Sequence, residues 1–119
     1  MTIKRYQPNG KRLSHAVEYN GIVYVTGQVA SDRSQDVHGQ TQQVLARIDE
    51  LLAEAGSDKS RILFAQVWLK HAVKDFAQMN AAWDAWVPED ALPARATVES
   101  SLAAENILVE IAIQAALSR

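Results

Sequence analysis

The chain has 119 residues, 12 of them Lys or Arg and 14 Asp or Glu, with a formal net charge of −2. At about 150 residues per domain this is one domain, 1–119, long enough to bury roughly 65% of its unfolded surface without staples. A hydrophobic fraction of 48% excludes disorder, zero Cys excludes a disulfide scaffold and a thiol nucleophile, and the lack of a basic block disfavours nucleic-acid binding.

No apolar run approaches the ~20 residues of a membrane span. Met1 to Tyr6 carries charges without the apolar stretch of a signal peptide behind them. A reducing, cytoplasmic location is the expectation.

In chain order, residues 3–7 suit an edge strand. Asn20-Gly21 separates two runs rich in β-branched and aromatic residues. Asn-Gly takes positive φ at both central positions of a two-residue turn, so strands are predicted over 14–19 and 22–29. Val44, Leu45, Ile48, Leu51, Leu52 and Ala55 then recur at helical spacing and Gly56 supplies a left-handed stop, which predicts a helix over 36–55. Ile62 to Leu69 is too short for a second core helix and rich in strand formers, hence a strand over 62–69.

Asp75-Phe76-Ala77-Gln78 reads as a capping box with Asp75 as N-cap. Phe76, Met79, Trp83 and Trp86 follow at helical spacing, and Pro88 ends this second helix by Val87. Residues 95–101 and 107–117 are expected to pair as a hairpin through a turn at Ala103–Asn106. In the last strand Ile107, Val109, Ile111, Ile113, Ala115 and Leu117 share one face, and Leu108, Glu110, Ala112, Gln114 and Ala116 the other.

The order ββ-α-β-α-ββ predicts an α+β sheet with its helices on one side. Three strands, 22–29, 62–69 and 107–117, are apolar on both faces, and two helices cover only one. A sheet that shows a face to water normally alternates apolar and polar residues, so the second face calls for self-association in a closed homo-oligomer.

His15, His38 and His71 fall in different elements with no i, i+4 pair, so no metal is expected. No GxSxG elbow and no phosphate-binding glycine loop is present, which disfavours serine hydrolases and nucleotide-dependent enzymes. Trp83 and Trp86 suit core packing better than a ligand platform. Arg95, just after Pro93-Ala94, and Glu110, inside an apolar strand, are the unusual pair. They form either a cross-strand ion pair or a cleft, in which Arg95 holds a carboxylate and Glu110, its pKa raised by apolar surroundings, handles a proton or orients water.

Pro93-Ala94-Arg95-Ala96-Thr97-Val98, with Glu110 fifteen positions after Arg95, resembles the signature of the RidA/YjgF family of enamine and imine deaminases. Thr26-Gly27-Gln28 is similar to that family's Ser-Gly-Gln strand end. The segment from Asp75 through Asn80 to Val87 is similar to its YoaB-like branch. The resemblance runs over nearly the whole chain. It implies a chorismate-mutase-like (YjgF-type) ββαβαββ sheet with two helices on one face, assembled as a homotrimer with ligand clefts between subunits.

By the same resemblance Arg95 binds the carboxylate of a 2-imino acid, and Glu110 positions the attacking water. Gly27 and Thr97 contact the ligand through their backbones, and Asn80 lines the cleft. No cofactor is implied. The partners implied are a small carboxylate metabolite and further copies of the chain. Three positions depart from the family pattern: Leu13 stands where many members have Tyr, Thr97 where Cys is common, and Leu102 to Asn106 replaces a Gly/Leu-Pro turn. The alternative function is a non-catalytic binder of small carboxylates on the same scaffold. RNA cleavage or translation inhibition, reported for some relatives, is disfavoured by the charge balance.

Overall fold

The computed structural model describes residues 2–118. Six strands form one sheet: β1 (Lys4–Asn9), β2 (Leu13–Tyr19), β3 (Ile22–Gln28), β4 (Ile62–Leu69), β5 (Ala94–Glu99) and β6 (Val109–Ala116). Their spatial order is β1-β2-β3-β6-β4-β5. Two helices, α1 (Val37–Ala55) and α2 (Ala72–Trp86), pack against each other and against the sheet, α1 across β3 and β6, α2 across β4 and β5. The α+β class and the helices on one face are as the sequence predicts.

Local signals produce local structure. Asn20 and Gly21 take φ of 53° and 80°, closing the β2–β3 hairpin through the expected turn. Asp36 caps α1 by accepting from the Gly39 amide at 2.9 Å, and Gly56 ends it at φ 84°. Val44, Ile48, Leu51 and Leu52 on the inner face of α1 are fully buried.

Two expectations need correction. The turn near Ala103–Asn106 exists, Ile107 N donating to Ala104 O at 3.2 Å, but residues 95–101 and 107–117 do not pair. β5 runs parallel to β4 at the sheet edge, and β6 inserts antiparallel between β3 and β4. The physical reason is that β6 is apolar on both faces and gains ladders on both sides in the middle of the sheet. The shorter β5 tolerates an edge, and α2 supplies the crossover that a parallel β4–β5 pair requires. Second, Asp75 is not the N-cap of α2. The helix begins at Ala72, and the Ala72 amide donates to Glu99 Oε1 of β5 at 2.9 Å. A carboxylate 27 residues away in sequence does the capping, so no local motif announces it.

Register decides the faces. Val25, Ile113 and Ala65 align across three strands, as do Ile111 with Val67 and Val109 with Leu69; all are buried beneath the helices. Tyr24, Gln114 and Phe64 align on the opposite face, with Gln66 beside Ala112 and Trp68 beside Glu110. No element of the described chain covers that face. Tyr24 remains 44% exposed there and Val98 45%.

One buried polar side chain joins distant loops. Gln40 is fully buried in α1; its amide donates to Gln35 O at 3.1 Å and Asn106 O at 3.0 Å, and its carbonyl accepts from Leu108 N at 3.0 Å. These bonds satisfy loop groups that would each cost about 1–3 kcal/mol if buried unpaired.

Candidate functional site

The singled-out residues gather in two places. Arg95 lies opposite Ala65, and Thr97 opposite Val67, in the β4–β5 register, so both side chains belong to the helix-covered side at the sheet edge. There α2 presents Asn80, Trp83 and Asp84, which recur at i, i+3 and i+4 and therefore share one helix face. These three, with Val87, Leu92, Pro93 and Arg95, line a groove of about 340 Å³.

Arg95 is half-buried in that groove. Its guanidinium carbon stands 5.0 Å from the Trp83 ring centroid, and Nη1 lies 3.9 Å from Met79 Sδ. Among the described residues no carboxylate forms an ion pair with it. Burial lowers its pKa from the ordinary value, and the charge of Asp84 opposes that shift; an arginine remains cationic regardless. Two buried side-chain atoms, Asn80 Oδ1 and Thr97 Oγ1, lack a hydrogen-bond partner among the described residues. Either atom has the capacity to take a further hydrogen bond from water or a ligand.

Glu110 lies elsewhere. It occupies the uncovered face of β6, opposite Trp68, between Val109 and Ile111, which point inward. Burial raises its pKa above the ordinary carboxylate value, and no hydrogen bond or ion pair from a described residue offsets that. Its carboxylate packs on Gly27, where a Cβ would overlap Oε2. Gly27 sits where the β3–β6 register slips between Val25 and Gln28, which brings the β3 backbone up to the carboxylate.

Within one chain, then, Arg95, Asn80 and Thr97 meet on one side of the sheet, and Gly27 and Glu110 on the other. β4 stands between the strands that carry Arg95 and Glu110. They form neither the cross-strand pair nor a single cleft within the chain. Chemically, the first patch offers a guanidinium in a groove with both apolar walls and polar ones, Asp84 and Asn80 among them. The second offers a carboxyl group poised to take or give a proton beside an accessible backbone.

Trp83, Met79 and Asp84 were not expected at the site. Trp83 is 6% exposed and packs in the core, tilted against Trp86 at 5.4 Å between centroids, as its spacing predicts. The i, i+3 relation of Asn80 and Trp83 was the available signal that the core ring and the cleft residue share a helix face. Among the described residues no three His, Cys, Asp or Glu side chains gather to ligate a metal ion.

Comparison with known proteins places this geometry in a group. A family model described as "Endoribonuclease L-PSP" matches residues 3–117. A RutC family protein of Haemophilus ducreyi is 50% identical over 107 residues, 90% of this chain and 91% of its own. The RutC family protein YoaB of Escherichia coli is 43% identical over 117 residues, 98% of this chain and 100% of its own. The crystal structure of NMB1025, a YjgF family member from Neisseria meningitidis, superposes with a TM-score of 0.96 at 41% identity, covering 100% of this chain and 98% of that one.

Proposed function

The chain belongs to the RutC family, also called YjgF/RidA, and from that premise we propose that it hydrolyses 2-imino acids and 2-aminoacrylate-type enamines to 2-keto acids and ammonia without a cofactor. One observation carries the proposal: a half-buried guanidinium that no described carboxylate ion-pairs stands in a groove with Asn80, whose Oδ1, like Thr97 Oγ1 two residues along β5, has no hydrogen-bond partner among the described residues. A planar fork of N–H donors without a carboxylate partner among the described residues matches a ligand carboxylate in two-point contact.

In the proposed reaction Arg95 holds the substrate carboxylate, and the backbones of Gly27 and Thr97 and the side chain of Asn80 bound the cleft. An enamine substrate first takes a proton at its β-carbon and loses one from nitrogen to become the imine; Glu110 then orients a water that adds to the C=N carbon. The resulting carbinolamine loses ammonia as its C–N bond breaks, and a proton passes through the Glu110 carboxyl, leaving a 2-keto acid. Imines hydrolyse slowly unaided, so orientation and proton handling suffice, the latter being worth about 10²–10⁴-fold.

The two patches require a neighbour to meet. We propose a homotrimer in which the uncovered face, with Tyr24, Phe64 and Trp68, packs on another copy and brings the Arg95 groove of one protomer to the Gly27–Glu110 patch of the next. The apolar character of that face supports this assembly. No helix among the described residues is long and apolar enough to cross a membrane; a cytoplasmic location is part of the proposal.

The test generates 2-iminopropanoate with an amino-acid oxidase and traps it with semicarbazide. The protein should lower the trapped fraction, and Arg95→Ala should not. An unchanged trapped fraction over several 2-imino acids removes the proposal. One observation favours a second reading, a carboxylate-responsive binder without turnover: Leu13, 44% exposed, offers no hydroxyl where many family members have Tyr. In that case a 2-keto acid raises the melting temperature through Arg95 while the trapped fraction stays constant. The ribonuclease name of the family model is not carried over, because a net charge of −2 with no basic stripe offers a polyanion little.

A further inference from the structure

A guanidinium that is to receive a carboxylate has to be held still without having its donors used up. An ion pair with a protein carboxylate would immobilise Arg95 but occupy the N–H groups the ligand needs. An aromatic face attracts the charge and leaves those donors open. The Arg95 guanidinium carbon lies over the Trp83 ring at 5.0 Å, Nη1 donates to Met79 Sδ at 3.9 Å, and among the described residues no carboxylate ion-pairs with it. Trp83 is itself held by its packing: 6% exposed, part of the core, and tilted against Trp86.

We propose that Trp83 is a positioning residue for carboxylate binding: its buried ring holds the Arg95 side chain in the groove, with only Nη1 engaged by a described residue, the weak acceptor Met79 Sδ, and the other guanidinium donors open to the ligand. The proposal rests on the reading that Arg95 binds the ligand carboxylate. It assigns Trp83 no contact with the reacting atoms. Carboxylate binding is common to ground state and transition state, so loss of the ring raises KM and leaves kcat nearly unchanged. It also assigns the two indoles of α2 different tasks, since Trp86 donates Nε1–H to Asp49 Oδ2 at 2.9 Å and packs between the helices.

The experiment measures 2-oxobutanoate affinity by calorimetry, and KM and kcat for the imine, in wild type, Trp83→Phe, Trp83→Leu and Arg95→Ala. Phe keeps a ring face; Leu keeps an apolar filling without one. The expected result is a roughly 2- to 30-fold weaker affinity in Trp83→Leu, appearing in KM, with most of it restored in Trp83→Phe. Equal weakening in both Trp83 variants would mean that the ring only fills space, which overturns the proposal. Wild-type affinity in Trp83→Leu, with binding lost in Arg95→Ala, overturns it too but leaves the carboxylate reading standing. Wild-type affinity in Arg95→Ala removes the carboxylate reading itself.

Should Trp83→Leu not fold, Trp83 is observed directly. In a Trp68→Phe, Trp86→Phe background its emission should change saturably with 2-oxobutanoate and lose that response on Arg95→Ala. A flat titration under conditions where calorimetry shows binding overturns the proposal.

Discussion

The two sides of the sheet solve the same burial problem differently. On the helix-covered side the chain completes its own core, and even the charged Arg95 finds an aromatic face and a thioether. On the other side no described element covers Tyr24, Phe64 and Trp68, and no described residue pairs with Glu110. A catalytic pair divided between them is useful only where copies meet, so in the proposed function folding and assembly are two separate requirements for activity.

The sharpest way to break this contrast is to mix defects. At substrate concentrations near the wild-type KM, Arg95→Ala should lose activity through lost substrate affinity and Glu110→Gln through lost proton handling. Refolded together, they should recover activity, because about a quarter of the seams in random mixed oligomers pair an intact Arg95 with an intact Glu110. If mixtures stay as inactive as their parents, the two residues do not cooperate across protomers.

Next in size is the uncovered face. Tyr24→Lys or Trp68→Lys places a charge in the proposed contact, where leaving it unpaired is costly. Such variants should elute near the monomer mass of 13.1 kDa, keep a folded far-UV spectrum and lose turnover. Wild type already eluting at that mass would remove the assembly.

Gly27→Ala is a smaller perturbation. Its φ is not in the left-handed region, so strain is not the issue; the added methyl pushes the Glu110 carboxylate aside. Turnover should fall by about tenfold or more for a misplaced proton-handling group, with 2-oxobutanoate affinity at Arg95 less affected. Unchanged turnover would show that the carboxylate works from some other position.

The smallest effect is thermodynamic. The folded pKa of Glu110 is raised above the ordinary 4.5, so the fold disfavours its ionised form. Stability from this group is therefore full below the unfolded pKa and is lost as pH rises through the folded one. Glu110→Gln should melt a little higher than wild type at pH 7, with the gain vanishing below about pH 4. A variant that melts lower at pH 7 would mean that the carboxylate has a partner in the assembly.

What was legible in the sequence was what neighbours along the chain decide. The Asn20-Gly21 turn, the Gly56 stop and the β4 boundaries follow from conformations that a few adjacent residues prefer. Arg95 and Glu110 stood out because a charge at a strand start and a carboxylate in an apolar run are chemically anomalous. What could not be read was whatever depends on strand order. An apparent hairpin turn at 103–106 and a capping-box pattern at Asp75 gave the wrong neighbours, since β6 is drawn into the sheet and Glu99 reaches α2 from another strand. The same order separates Arg95 from Glu110, so their identities were visible in the sequence and their relation was not.

The single amide of Gln40 has a consequence for motion. Because it is bonded at once to the loop before α1 and to the stretch leading into β6, neither segment can open alone without stranding the other's polar groups in a dry interior. Excursions of these loops should therefore be synchronised. Deuterium uptake at the Leu108 amide should keep pace with the slow centre of the helix rather than with the surface around it.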